Sequence, residues 1–513
     1  MALISIIPDF RPLNDARLLA KAEALTPALR RETHEPVASF SLQSRYSSER
    51  VAPAKELSRG DNLVFDFGRH LVGRVTLSFS HAGSHPDAPA FIKLKFAETP
   101  GELWEDASAY DGWLSRSWIQ EETLHVDTLP AEVTLPRRYA FRYVKLTVLD
   151  TSPKYRLVAT GARCVSETSA DPAKIAPSDT GDARLDAIRD VSLRTLSECM
   201  QEIFEDGPKR DQRLWMGDLR LQALSNYASF GNNDLVKRCL YLFGGTRFPD
   251  GRVSANLFTR PEPAADDTFL FDYALMFPVA LNEYVAETGD LEALDDLYDI
   301  AMAQVDYALA KLDEDDILNA QAAKECFIDW CDPLDRTACA QGVLIWALGP
   351  AFLLCAKKGD DRREVALRAR REDLRRAALE RFWSEDEGCF ISNGQSSPAT
   401  QVWMTLAGVG WPEQRRQAME RAMTLKGETA MATPYMHHYF IMALLEAGMK
   451  EEAETCLKDY WGGMLDAGAD TFWECWDPAH PDRSPYGGAV VNSYCHAWSC
   501  TPAYIIDRFL RPR

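Results

Sequence analysis

The sequence predicts an antiparallel β-sandwich followed by a ring of six helical hairpins, an (α/α)6 barrel. Two observations carry this. The first half of the chain alternates apolar and polar residues with a period of two, and the second half repeats with a period near 3.6. Between them lies a polar, Pro- and Gly-bearing stretch, 166–182, that reads as a linker. The expected domains are therefore 1–180, a β-sandwich with its linker, and 181–513, the helical ring. A chain of 513 residues is long enough for a large core in each.

Residues 1–60 are weakly patterned. Segments 74–80, 91–96 and 143–148 alternate strictly, which is the mark of half-buried strands. Turn residues separate them without an intervening helical pattern, so an antiparallel arrangement is expected. From Ala183 onward twelve helical segments are expected: 183–200, 217–230, 233–244, 268–288, 290–312, 337–358, 361–384, 397–409, 412–425, 433–447, 449–465 and 491–509. Alternating short and long connections suit six hairpins closed into a ring, although helix count alone does not separate this ring from another large α fold. No repeat period is visible. Four long connections, 205–217, 245–267, 324–336 and 466–490, are polar and mostly rich in Trp. Long loops on one face of such a ring build a site.

Composition narrows the function. The net charge is −20, which disfavours nucleic acid or an anionic membrane as partner and is compatible with a neutral ligand such as a sugar. The 12 cysteines are scattered with no CxxC pair, so reduced thiols of a cytoplasmic protein are expected. The N-terminus lacks the basic region of a signal peptide, and no window of 18 residues is wholly apolar. A free sheet edge allows a homodimer.

The richest stretch is 205–218, which packs Asp206, Asp211, Asp218, Lys209, Arg210, Arg213 and Trp215 into fourteen residues. Asp218 reads as the N-cap of the following helix. A second loop, 471–478, sets Glu474 between Trp473 and Trp476, and a third sets Trp330 beside Asp329. Apolar neighbours raise a carboxyl pKa and cations lower it, so these loops offer carboxyls in contrasting environments. Glycoside hydrolysis needs one carboxyl as acid and another as base or nucleophile, and sugars stack on Trp. His496 precedes Trp498 at the start of the last helix. His437 and His438 are adjacent on a helix and point about 100° apart, so they do not chelate one metal together. HExxH, P-loop, GxSxG and GxGxxG motifs are absent. No metal or nucleotide cofactor is therefore expected.

The run Asp206-Gly207-Pro208-Lys209-Arg210-Asp211, with Trp215, Gly217 and Asp218, resembles the signature of the bacterial α-L-rhamnosidases of glycoside hydrolase family 78. The 471–474 loop, 495–499, Asp329-Trp330, 65–74 and 141–144 also resemble family motifs, in the family's order. The resemblance implies a β-sandwich before an (α/α)6 barrel, and metal-independent, inverting hydrolysis of terminal α-L-rhamnose from a small glycoside. In the commoner signature the general acid stands where this chain has Gln212, which cannot donate a catalytic proton. A sub-branch with Gly-Pro-Lys-Arg-Asp uses that Asp, so the resemblance assigns Asp211 as acid. If Asp211 only binds sugar, Asp206 or Asp218 takes the role. Glu474 is the implied base. Asp206, Arg210, Asp218, Asp329 and His496 are expected to bind the sugar, and Trp215, Trp330, Trp473 and Trp476 to form its apolar wall. The alternatives are a phosphorylase or lyase on the same barrel and a non-catalytic carbohydrate-binding relative.

Overall fold

The computed structural model describes residues 7, 9–45, 47–52, 54–481 and 483–511. Its β part is organised by one strand of 22 residues, Asn62–Gly83. The first half of this strand pairs with Tyr139–Asp150 and Ala38–Ser44, and the second half with Tyr155–Thr168 and Ala131–Thr134. All of these pairings are antiparallel, and the two halves of the strand have different partners. Leu63 and Phe65 of its first half share one core with Leu77 and Phe79 of its second, together with Leu94, Leu146 and Leu157. The alternation in the sequence is the direct record of that core.

The long strand breaks its register at 67–70. Gly68 takes a φ of +78°, and the pairing with the neighbouring strand slips between Phe141 and Tyr143. Such a bulge bends a strand and re-aims its side chains. Here it turns a surface toward the helices. The His70 N–H donates to Asp470 at 2.8 Å, Arg69 reaches Glu198 at 3.3 Å, and Arg142 lies 3.0 Å from Asp66 and 3.8 Å from Asp470. The distinctive residues 65–74 and 141–144 are thus the seat of the helical domain on the β domain.

Helix α1 (Ala16–Ala24) departs from the expected division of the chain at 180. Leu18 and Ala22 are buried in the helical core, and Lys21 pairs with Asp296. The short strand Leu13–Asn14 pairs with Thr246–Arg247. This N-terminal segment therefore packs on the helical part, its amphipathic turn being too short to show in the sequence pattern.

The helical part contains α2 (Ala183–Cys199), α3 (Met216–Tyr227), α4 (Asn233–Gly245), α5 (Phe271–Thr288), α6 (Leu291–Leu309), the short α7 (Ala320–Lys324), α8 (Thr337–Lys358), α9 (Asp361–Phe382), α10 (Pro398–Leu406), α11 (Pro412–Thr424), α12 (Pro434–Glu446), α13 (Lys450–Asp466) and α14 (Pro502–Ile505). In the inner layer α3 packs on α5, α5 on α8, α8 on α10 and α10 on α12. The last segment, 497–505, touches both α12 and α3 and closes the ring. The (α/α)6 arrangement follows. Helix α8 is long and apolar enough to span a bilayer, but in this fold it is an inner helix enclosed by α5, α9 and α10.

The final helix differs from expectation. Ala489–Val491 and Ala497–Cys500 are separate 3₁₀ turns, and a π turn, Ile506–Leu510, follows α14. The backbone between the two 3₁₀ turns is non-helical, and His496 takes an extended φ of −131°. All twelve cysteines are free thiols.

Candidate active site

The connection between α2 and α3 is pinned into a closed loop. The Asp206 N–H donates to the Arg213 carbonyl, and the Arg213 N–H donates to Asp206 Oδ1, both at 3.0 Å. Within the loop, Asp211 and Gln212 take φ of +25° and +55°, a conformation that non-glycine residues rarely adopt and that tends to persist at functional sites. Glu98 and Glu102 of the β domain hold Lys209 from below, and Lys209 also donates to the Asn492 carbonyl at 2.8 Å. The loop is therefore fixed from both domains.

Glu474 is fixed with equal care. Its N–H donates to the Ser493 carbonyl at 3.0 Å, and the Trp498 indole donates to the Glu474 carbonyl at 2.9 Å. Its carboxylate accepts from the Arg210 guanidinium, the Tyr486 hydroxyl and, at 3.3 Å, the Ser493 N–H. Arg210 stacks 4.3 Å over the Tyr486 ring, and its other terminal nitrogen lies 3.9 Å from Asp211. One guanidinium thus stands between the two carboxyls.

Arg210, Asp211, Glu474 and Tyr486 line a cavity of about 350 Å³, a size typical of small-molecule sites. Of the expected site residues, Asp206, Arg210, Asp211, Trp215, Asp218, Trp330, Glu474 and His496 line it. Asp329, Trp473 and Trp476 do not, and here the structure corrects the sequence reading. The Asp329 carboxylate accepts from the Ala432 N–H, the Thr433 hydroxyl and the Trp330 N–H, so it braces the start of α12 and the adjoining loop. Burial pushes its pKa up to about 6. Trp473 and Trp476 pack edge to face on each other at 5.1 Å. The backbone of 472–474 is irregular and held by its own hydrogen bonds, Phe472 N–H to Thr195, Ser499 hydroxyl to the Trp473 carbonyl and Glu474 N–H to the Ser493 carbonyl, and only Glu474 of the three lines the cavity. Glu474 therefore turns in while Trp473 turns out.

Asp218 lies in the first turn of α3, whose N-cap is Trp215, and so is not itself the cap. It is buried, and its pKa rises well above the usual Asp range because of burial and then Glu474. Burial, followed by Asp211 and Asp218, likewise pushes Asp206 up. Burial also raises Glu474, against the pull of Arg210 and Tyr486. His496 is held neutral, its pKa driven well below the usual value by burial and by Arg210. Its ring lies 3.5 Å from Asp218, 3.8 Å from Glu474 and 4.0 Å from Asp206. Asp218 Oδ1, His496 Nδ1, Trp215 Nε1 and Trp330 Nε1 are buried without a protein hydrogen-bond partner. Asp218 Oδ1 and His496 Nδ1 face each other at 3.5 Å, and the two indole N–H groups have no such neighbour. Buried polar atoms are usually paired, so both indoles have a donor to offer at the cavity wall.

Several lining residues were not anticipated. Tyr273, Phe327, Tyr486 and Trp498 complete the aromatic wall, and the β domain adds Trp113 and Trp118. The segment carrying these last two is tied to the loop that bears Tyr486. The Tyr110 hydroxyl donates to the Tyr486 carbonyl at 2.7 Å, and the Trp113 indole donates to the Pro485 carbonyl at 2.8 Å. The sequence signal was a pair of tryptophans in a Gly- and Ser-bearing loop, of which Trp118 is half-buried while Trp113 stays exposed at the rim.

Residues 175–509 match the bacterial alpha-L-rhamnosidase 6 hairpin glycosidase domain, and residues 34–166 match the glycosyl hydrolase family 78 alpha-rhamnosidase N-terminal domain. The chain belongs to the bacterial α-L-rhamnosidases of glycoside hydrolase family 78. This makes it a glycoside hydrolase. Among solved structures, a rhamnosidase from Klebsiella oxytoca with rhamnose bound is 45% identical, with a TM-score of 0.94 over 97% of this chain and 99% of that one. A family 78 rhamnosidase of Bacillus sp. GL1 shares the fold at 22% identity and a TM-score of 0.74, covering 90% of this chain and 49% of that one. The Streptomyces avermitilis α-L-rhamnosidase complexed with L-rhamnose does so at 17% and 0.67, covering 94% and 44%. A search of curated protein sequences returned no match.

Proposed function

We propose that this family 78 enzyme is an inverting α-L-rhamnosidase that releases terminal non-reducing rhamnose from small rhamnosides, with Asp211 as general acid and Glu474 as general base. The observation that carries this reading is the guanidinium of Arg210 between the two carboxyls, 3.9 Å from Asp211 and ion-paired with Glu474. The carboxyls share one cavity without bonding to each other. Inverting enzymes keep their carboxyls about 6.5–9.5 Å apart to admit a water. Rhamnose in the 45% identical relative supports the choice of sugar.

Asp211 protonates the glycosidic oxygen while Glu474 deprotonates a water that attacks C1 from the opposite face. Arg210 favours the ionised form of Glu474, as a base requires. Asp206, Asp218 and neutral His496 hold hydroxyls, and Trp215, Trp330 and Trp498 cover the apolar side of the sugar. Gln212 fits a non-catalytic role. Its amide donates to the Pro208 carbonyl at 2.8 Å, and it does not line the cavity that holds Glu474.

The test compares wild type with Asp211→Asn on p-nitrophenyl α-L-rhamnopyranoside and on an unactivated rhamnoside, with the anomer first released followed by NMR. The nitrophenolate leaves with little acid help, so the variant is expected to lose about 10²–10⁴-fold on the unactivated substrate and far less on the activated one. The first product is expected to be the β anomer. Equal losses on both substrates would remove Asp211 from the acid role, and an α product would remove inversion.

A further inference from the structure

A second cavity, of about 510 Å³, lies beyond Asp211. It shares Trp118, Asp211 and Arg213 with the first, whereas Glu474 lines only the first. In an inverting reaction the acid and the base stand on opposite sides of the reacting carbon, and the leaving group departs on the acid's side. A substrate whose C1 sits between Asp211 and Glu474 therefore extends its leaving group past Asp211 into this second space.

The chemistry of that space is unusual for this chain. With a net charge of −20 overall, the chain lines the cavity with Arg74, Arg137, Arg138, Lys209, Arg213 and Arg260 against four acidic residues. Most of the cations are engaged. Arg138 holds Glu205, Arg74 holds Glu167 and Arg260 holds Glu202, while Arg137 and Lys209 reach Glu122 and Glu102 of the β domain. Arg213 is different. Among the described residues no carboxylate stands within ion-pair distance of it, and its guanidinium stacks 4.3 Å over the Phe258 ring. Its backbone closes the 206–213 loop, so its position is fixed, and among the described residues no hydrogen bond engages its guanidinium. A planar guanidinium with free edges matches a carboxylate bidentately. Phe258 backs the guanidinium, and Trp118 lines the same cavity as an apolar surface for a sugar ring beside it.

We propose that this cavity is the leaving-group subsite and that Arg213 reads a carboxylate there, so that the favoured substrates are rhamnosides of a uronic acid. The proposal rests on the assignment of Asp211 as proton donor.

The test measures kcat/KM for α-L-rhamnosyl-(1→4)-D-glucuronic acid and for its carboxyl-reduced counterpart, α-L-rhamnosyl-(1→4)-D-glucose. The quantity read is their ratio. Wild type is expected to favour the uronate by about tenfold or more, the value of one charge-assisted hydrogen bond. Arg213→Gln is expected to bring the ratio close to one, and Arg213→Lys to keep part of it. A wild-type ratio near one overturns the proposal, and so does an Arg213→Gln variant that keeps the wild-type ratio or lowers both substrates equally. Failure of the acid assignment reads out separately, as an Asp211→Asn variant that still cleaves both disaccharides.

Discussion

Tyr486→Phe isolates the control of the proposed base. The Tyr486 hydroxyl donates to Glu474 Oε1, and burial raises the phenol's own pKa, so the phenol keeps its proton at working pH. The substitution removes that donor alone. The ring stays under Arg210, and the Tyr486 carbonyl still accepts from Tyr110. The hydrogen bond favours ionised Glu474 over its protonated form. A hydrogen bond to a charged group contributes about 1.5–3 kcal/mol, and one pKa unit corresponds to about 1.4 kcal/mol, so Glu474 should rise by about 1–2 units. A base works only when ionised. Activity therefore falls as pH drops through the pKa of Glu474, and a higher pKa moves that acid limb upward. The assay is kcat/KM against pH with p-nitrophenyl α-L-rhamnopyranoside. Expected are an acid limb displaced by about 1–2 units and near wild-type turnover above it. A uniform loss at every pH, with the limb in place, would refute the link between Tyr486 and the ionisation of Glu474.

Other perturbations follow from the same geometry. A Cβ on Gly112 would meet the Tyr486 carbonyl oxygen at 1.9 Å, so Gly112→Ala should push the Trp113–Trp118 segment off the site. Lost activity, with a stability cost of about 1–3 kcal/mol by denaturant titration, is expected. Burial, and then Glu474, hold the Asp218 pKa in the folded protein well above its ordinary value of 3.8. Its contribution to stability is complete below that value and is lost as pH rises through the raised one. The Tm advantage of Asp218→Asn over wild type should therefore widen from acid toward neutral pH. His437 stacks on Tyr460 at 3.5 Å, and burial depresses its pKa from 6.5 to about 4. Stability is therefore lost as pH falls between these values, by about 3 kcal/mol for this group. His437→Gln should flatten that part of the stability profile.

What the sequence made legible and what it hid divide along physical lines. Strands such as 74–80 were readable because one face meets the core and the other does not, and period two is then unavoidable. The barrel helices were readable for the same reason at period 3.6. Asp206, Asp211 and Glu474 were readable because a short range of sequence already concentrates the charge that a site requires. Trp473 misled because composition says nothing about which way a side chain turns, and that is decided by the local backbone and by the Ser499 and Thr195 contacts that anchor it. Asp329 misled because a carboxylate that binds backbone N–H groups looks, in sequence, like one that binds sugar. Tyr486 and Trp113 were hidden for a different reason, being separated in the chain by more than three hundred residues and joined only when the domains dock. Tyr486 acts on Glu474, Tyr110 acts on Tyr486, and neither pairing leaves a local trace. The β domain is thus part of the active site's construction, and its removal should cost activity through the position of Tyr486 even if the barrel alone kept every carboxylate.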